Sequence, residues 1–113
     1  MSAEDASVAE LLRLYRPLPQ HSLRVRPADR ALARSLFHRN VHLDIVTAAL
    51  LLATARRTHR PLTSPPLQPV RSLHYYLPVI DELLLVPPLP GYVAYLRAKV
   101  SSAPSREKRV AGN

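Results

Sequence analysis

Between its prolines, the chain places apolar residues at the spacing of a helix rather than at the alternating spacing of a strand. Near the N terminus, four apolar residues fall on one helical face: Val8, Leu11, Leu12 and Tyr15. Ser7 precedes them and Glu10 follows three positions later, which is the spacing of a capping box. The pattern predicts a first helix that is capped at Ser7 and ends before Pro17.

Prolines separate this helix from the next one. Residues 16–26 are predicted to be an extended connection, because Pro17 and Pro19 lack an amide donor and restrict the residues before them. Pro27 suits the first turn of a second helix, and Asp29 lies close behind it. The apolar stripe of this helix consists of Leu32, Leu36 and Phe37. Asn40 can take a left-handed conformation and end the helix.

A third helix is predicted from about 42 to 59, where apolar spacing resumes. Its residues 48–53 are apolar on every side. Successive helical residues point about 100° apart, so such a run is sheltered only if other helices surround it. We therefore expect this helix at the centre of the fold, with Leu50 and Leu52 buried most deeply.

The C-terminal half begins with a proline-rich stretch, residues 61–70, which we expect to be an extended linker. A kinked helix is predicted over 71–86, because helical spacing continues through Pro78. Its inward residues are predicted to be Leu73, Tyr76, Leu77, Ile80 and Leu84. A short last helix is predicted over 91–101, with Val93, Leu96 and Val100 inward.

These elements predict an all-α fold. Residues 1–101 are expected to form a single domain, a compact bundle of about five helices. Residues 102–113 are small, polar or charged, so we expect a disordered basic tail. The chain has no cysteine, which excludes disulfides, thiol nucleophiles and cysteine-ligated metals.

The charge of the chain is strongly positive. Sixteen Lys and Arg residues face eight Asp and Glu residues, which gives a formal net charge of +8. A field of this sign favours polyanions such as nucleic acid. Fourteen of the sixteen cations are arginine, however, so a compositional bias of the genome also explains the charge.

The cations fall into three groups. The densest follows the apolar run of the third helix, and Arg71 comes after the linker. The second recurs at intervals of four on the second helix, and the third lies on the last helix beside Tyr92 and Tyr95. The residues predicted to contact phosphates are Arg30, Arg34, Arg56, Arg57, Arg60, Arg71, Arg97 and Lys99.

Residue types that support catalysis or metal binding do not occur in a suitable arrangement. A turn is predicted between His38 and His42, and no carboxylate pair is near them in sequence. Two glycines are too few for glycine-rich phosphate loops. The apolar run at 48–53 also argues against a helix-turn-helix reader, which needs polar side chains for base edges. We predict a protein that is not an enzyme and holds no metal or cofactor.

Two segments resemble a known family. They are Asn40-Val-His-Leu-Asp-Ile-Val-Thr-Ala-Ala-Leu50 and Tyr76-Leu-Pro-Val-Ile-Asp-Glu-Leu-Leu84, separated by the linker. Their order resembles the helical DnaD-like C-terminal domain of bacterial and phage replication-initiation proteins. The resemblance implies a helical module that binds DNA and assembles with replication proteins.

The sequence predicts a non-enzymatic module that binds nucleic acid, with DNA favoured, through phosphates and with little sequence preference. It would be accessory to replication or to a mobile element, with a protein partner from that machinery. The alternative is a helical protein-interaction adaptor whose charge is incidental. Residues 1–5 lack the features of a signal peptide, and the apolar run 45–55 is about half the roughly 20 residues of a membrane span. We therefore expect a cytoplasmic protein that does not enter membranes.

Overall fold

The computed structural model describes residues 2–18, 25–61, 63–65 and 67–101. These residues contain five α-helices, one short 3-10 helix and no β-strand, which confirms the all-α prediction. The helices are α1 (Ala3–Tyr15), α2 (Pro27–His38), α3 (Leu43–Thr58), α4 (Leu77–Leu85) and α5 (Tyr92–Ser101). The 3-10 helix, Leu73–Tyr76, runs directly into α4.

The centre of the fold is α3, as predicted. Helices α1, α4 and α5 pack against it, while α2 packs against α1 and the 3-10 helix. Ala48 and Ala49 are fully buried, and Leu50 is 1% exposed. The prediction that Leu52 is equally deep is wrong, because Leu52 is only partly buried and lines an open groove beside α4 and α5. The cover of α3 is therefore less complete at Leu52 than at Leu50.

The predicted apolar face of α1 is confirmed, since Val8, Leu11, Leu12 and Tyr15 are all buried. The predicted cap is wrong. Ser2 caps the helix instead, and its Oγ accepts a hydrogen bond from the Asp5 amide at 3.1 Å. Ser7 lies inside the helix. Glu4 and Asp5 then occupy the first turn, where acidic side chains stabilise the positive end of the helix dipole.

A buried carboxylate joins α2 to the C-terminal half of the chain. Asp29 lies in the first turn of α2, as the sequence predicts, and it has no exposed surface. Its Oδ2 accepts from the Arg26 amide at 2.9 Å, and its Oδ1 accepts from the Leu73 amide at 2.8 Å. One side chain therefore caps the first turn of α2 and binds the first residue of the 3-10 helix. After α2, Asn40 has a φ of 59°, which confirms the left-handed terminator.

The predicted kinked helix over 71–86 is replaced by two elements. Pro78 cannot donate to a carbonyl one turn earlier, so it lies in the first turn of α4 and the 3-10 helix precedes it. The tighter 3-10 turn also shifts the helical face. As a result Leu83 is buried, and the predicted inward residue Leu84 is 39% exposed. Leu73, Tyr76 and Ile80 are buried as predicted.

The last helix, α5, agrees with the predicted range, and Leu96 is its one buried residue within the described part of the chain. Gly91 precedes the helix with a φ of 86°, a conformation that favours glycine. Two predictions fall outside the described residues: the disordered tail at 102–113, and the part of the extended connection at 19–24.

Truncation of the central helix is expected to be costly only on its buried side. Leu50→Ala should lower the free energy of unfolding by about 2–5 kcal/mol, because removing this buried side chain leaves a cavity in the core around α3. Leu52→Ala, on the partly open side, should cost clearly less. Urea denaturation of both variants measures the difference, and equal losses would contradict the asymmetric cover of α3.

Two buried tyrosines predict a loss of stability in alkali. Burial raises the pKa of Tyr15 and of Tyr76 to about 12. An unfolded phenol ionises near pH 10, so the folded state favours the neutral form. This contribution is complete below about pH 10 and disappears as pH rises toward about 12. Urea midpoints between these pH values should fall, and should fall less in a Tyr15→Phe, Tyr76→Phe double variant. The same fall in that variant would exclude the tyrosines as the cause.

Candidate functional site

The eight predicted phosphate contacts lie in different environments, and several already have partners inside the fold. Arg56 is exposed on α3 and forms a two-pronged ion pair with Glu82 of α4, at 2.7 and 3.0 Å. These hydrogen bonds hold the pKa of the Glu82 carboxyl below its usual range. The charge of Arg56 is therefore already compensated by Glu82.

Arg57 is not a surface cation. It is 8% exposed, its Nη2 donates to the Gln68 carbonyl at 2.6 Å, and its Nη1 donates to the Tyr75 hydroxyl at 3.2 Å. The guanidinium also lies over the Tyr75 ring, 5.3 Å from its centre. The sequence predicts Arg57 as a phosphate contact, whereas the structure places its guanidinium among partners within the fold. Position 57 continues the buried face of Leu50 and Ala53, a spacing that was visible in the sequence.

Arg60 also serves the fold, because its Nη1 donates to the Pro65 carbonyl at 2.9 Å. Arg57 and Arg60 together attach the proline-rich segment to the end of α3. Arg71 is exposed and has no ion pair among the described residues. In the densest cation cluster of the sequence, Arg56 thus belongs to an ion pair, and Arg57 and Arg60 bind backbone carbonyls within the fold. Arg71 is a separate exposed arginine.

The Arg34 face of α2 is also compensated by acids. Arg34 Nη1 lies 2.7 Å from Glu4 and 3.4 Å from Asp5 in the first turn of α1, and His38 contacts Glu4 as well. The hydrogen bonds from Ser2 and then from Arg34 lower the pKa of the Asp5 carboxyl. This network joins α1 to α2, and it leaves little net charge for a ligand.

A different set of arginines surrounds a groove between α1 and α2. The groove has a volume of about 380 Å³ and is lined by Ala9, Leu12, Arg13, Arg16, Val25 and Arg30. We call it the arginine groove. Its lining includes no carboxylate, and the side chains of Arg16 and Arg30 form no ion pair or hydrogen bond with the described residues. Arg13 has one exposed ion pair, with Glu10 at 3.2 Å.

The arginine groove adjoins a surface that reaches α5, where Arg97 also lies near the carboxylates of Glu10 and Asp44. Arg13 also lines a neighbouring groove of about 410 Å³, where Arg97 is the second cation. Arg97 likewise forms no ion pair or hydrogen bond within the described residues. Of the eight predicted residues, the structure therefore brings Arg30 and Arg97 to one surface. Lys99 has a different setting, since its carbonyl oxygen is 2.8 Å from the His59 ring.

Sequence reasoning missed Arg13 and Arg16. Arg13 lies on the exposed side of α1, and Arg16 follows directly after its last residue, one turn further on. A position on the exposed side of a predicted helix was the available signal. Density of cations along the chain does not identify these residues, because acids on other helices decide which cations stay uncompensated.

A second exposed surface is apolar. Leu85, Val86 and Leu89, between the end of α4 and the start of α5, are 84%, 71% and 81% exposed. We call these three residues the apolar tip. Beside them lies an open groove of about 440 Å³ lined in part by Leu83 and Tyr92. Exposed apolar surface of this kind marks sites of protein interaction.

The described residues hold no cluster of three or more histidine and carboxylate side chains that could bind a metal ion. None of the helices within them has the length and apolar character required to cross a bilayer. No protein-family model, curated protein or solved structure matches the chain. The resemblance to DnaD-like domains therefore stays a prediction.

The neighbouring arginines of α3 are expected to differ in their effect on stability. Arg57→Gln should lower the free energy of unfolding by about 1–3 kcal/mol, because it removes two part-buried hydrogen bonds that the buried guanidinium donates to the Gln68 carbonyl and the Tyr75 hydroxyl. Arg56→Gln removes only an exposed ion pair and should cost less than about 1 kcal/mol. Urea denaturation of the two variants tests the assignment, and the reverse order would contradict it.

Proposed function

We propose that this protein is a non-enzymatic helical module that binds nucleic acid through its phosphates, with little sequence preference. The binding surface is the arginine groove together with Arg97. One observation carries the proposal: arginines from α1 and α2 flank the groove, and its lining includes no carboxylate among the residues that the structure describes. Most other described arginines are already paired with acids or backbone carbonyls.

The chemistry of this surface favours phosphates. Guanidinium groups donate two parallel hydrogen bonds to phosphate oxygens, and such contacts position a protein without reading bases. The single exposed ion pair of Arg13 is no obstacle, because pairs of this kind contribute little and a phosphate can replace Glu10. The resemblance to DnaD-like domains adds the proposal that the ligand is DNA during replication or the transfer of a mobile element.

Protein interaction is the second candidate function, and the exposure of the apolar tip favours it. Salt separates the two candidates. Binding to phosphates weakens steeply as salt rises, because it releases counterions from the nucleic acid and this release gains less entropy when the salt concentration is already high. Association through apolar surface is maintained or strengthened under the same conditions.

Removal of the groove arginines is expected to abolish most nucleic-acid binding. The variant Arg13→Gln, Arg16→Gln, Arg30→Gln should lose at least roughly tenfold in affinity at low salt. It should also flatten the slope of log affinity against log salt by about 2 to 3, because three phosphate contacts disappear. Fluorescence titration of short labelled oligonucleotides at several salt concentrations measures both quantities.

A matched control loses the same charge elsewhere. The variant Arg34→Gln, Arg39→Gln, Arg56→Gln removes three arginines that face Glu4, Asp81 and Glu82. It should retain most of the affinity. Equal losses in the two triple variants would show that only net charge matters, and no saturable binding of the unmodified protein at low salt would refute the function.

A further inference from the structure

Three of the six residues that line the arginine groove are apolar, which phosphate binding alone does not require. These residues, Ala9, Leu12 and Val25, line the groove together with the three arginines, and we call them the apolar floor. Leu12 is almost fully buried, whereas Ala9 on the same helix is exposed. The groove is open to solvent, and its volume of about 380 Å³ is at the low end of the range of small-molecule sites. It therefore offers apolar surface directly beside positive charge.

A double helix does not fit this shape. Helices α1 and α2 pack directly against each other, so their axes are expected to be about 8–10 Å apart. A double helix is wider than this separation, so it would not enter the arginine groove and would contact its arginines from outside. Its bases are stacked inside, so the apolar floor of the groove would stay in water.

A single strand offers both of the required groups. Its unstacked bases are flat and largely apolar on their faces, and each is flanked by phosphates. Arginine suits such a ligand, because its guanidinium binds phosphate through its edge and stacks on a base through its face. The stacked ring pair of Tyr92 and Tyr95 on α5 is not part of the groove lining, so arginine and aliphatic side chains would hold the base.

We infer that the ligand is single-stranded nucleic acid, with one base inserted in the arginine groove. Arg13 and Arg16 hold the phosphates on the α1 side, and Arg30 holds the phosphate on the α2 side. The inference rests on the proposed function and adds the strandedness of the ligand and the position of one base.

The test fills the groove without changing any charge. In Ala9→Leu, the added side chain occupies the floor between the arginines and leaves all three in place. Ala6→Leu is the matched control, because Ala6 is exposed on the same helix, one turn earlier, and does not line the groove. Circular dichroism and urea midpoints of both variants verify the fold.

The probes are a labelled oligo(dT) and the duplex that it forms with oligo(dA). The unmodified protein should bind the single strand more tightly. Ala9→Leu should weaken binding of the single strand at least roughly tenfold, which is the scale of one stacked base, and should change duplex binding less than about twofold. Ala6→Leu should leave both affinities as they are.

Three results would overturn the inference: tighter binding of the duplex, an equal loss for both probes in Ala9→Leu, or no loss for either. In each case the glutamine variant of the three groove arginines still reports separately on the proposed function. If that variant loses affinity while Ala9→Leu does not, the protein binds phosphates at the rim and the base lies outside the groove.

Discussion

The fold is governed by the need to cover α3 on almost every side. Its apolar residues from 48 to 53 leave no polar face for water, so α1, α4 and α5 are drawn around it. Alanines at 48 and 49 allow close approach, because a methyl side chain keeps two helix backbones near each other. The remaining helix, α2, is held against α1 and the 3-10 helix, where buried Asp29 supplies acceptors for two backbone amides.

This arrangement also decides where positive charge remains available. Once α1 and α4 lie against the core, their acids face the arginines of α2 and α3 and neutralise them. Among the described residues, the one acid paired with the arginines of the groove is Glu10, which contacts Arg13. Positive charge without an ion pair therefore remains at the groove on Arg16 and Arg30. The candidate site is a product of packing rather than of a sequence motif.

Helix positions could be predicted because they depend on neighbours within a few residues. The spacing of Val8 to Tyr15, the proline at 27 and the left-handed Asn40 are local features, and the structure agrees with each. The buried environment of Arg57 could not be predicted from neighbouring residues, because Gln68 lies within the proline-rich segment and Tyr75 lies beyond it. The available cations could not be told apart for the same reason, since contacts between distant helices distinguish Arg16 from Arg34.

The hydrogen bonds from Arg57 and Arg60 to the proline-rich segment bear on the conformational entropy that this segment loses when the chain folds. Proline rings restrict the backbone before folding begins, so ordering this stretch removes fewer conformations than ordering an ordinary loop. The segment needs few contacts to be fixed, and two guanidinium groups bound to the Gln68 and Pro65 carbonyls supply them. A small domain can therefore connect α3 to the 3-10 helix by a long surface crossing at low entropic cost.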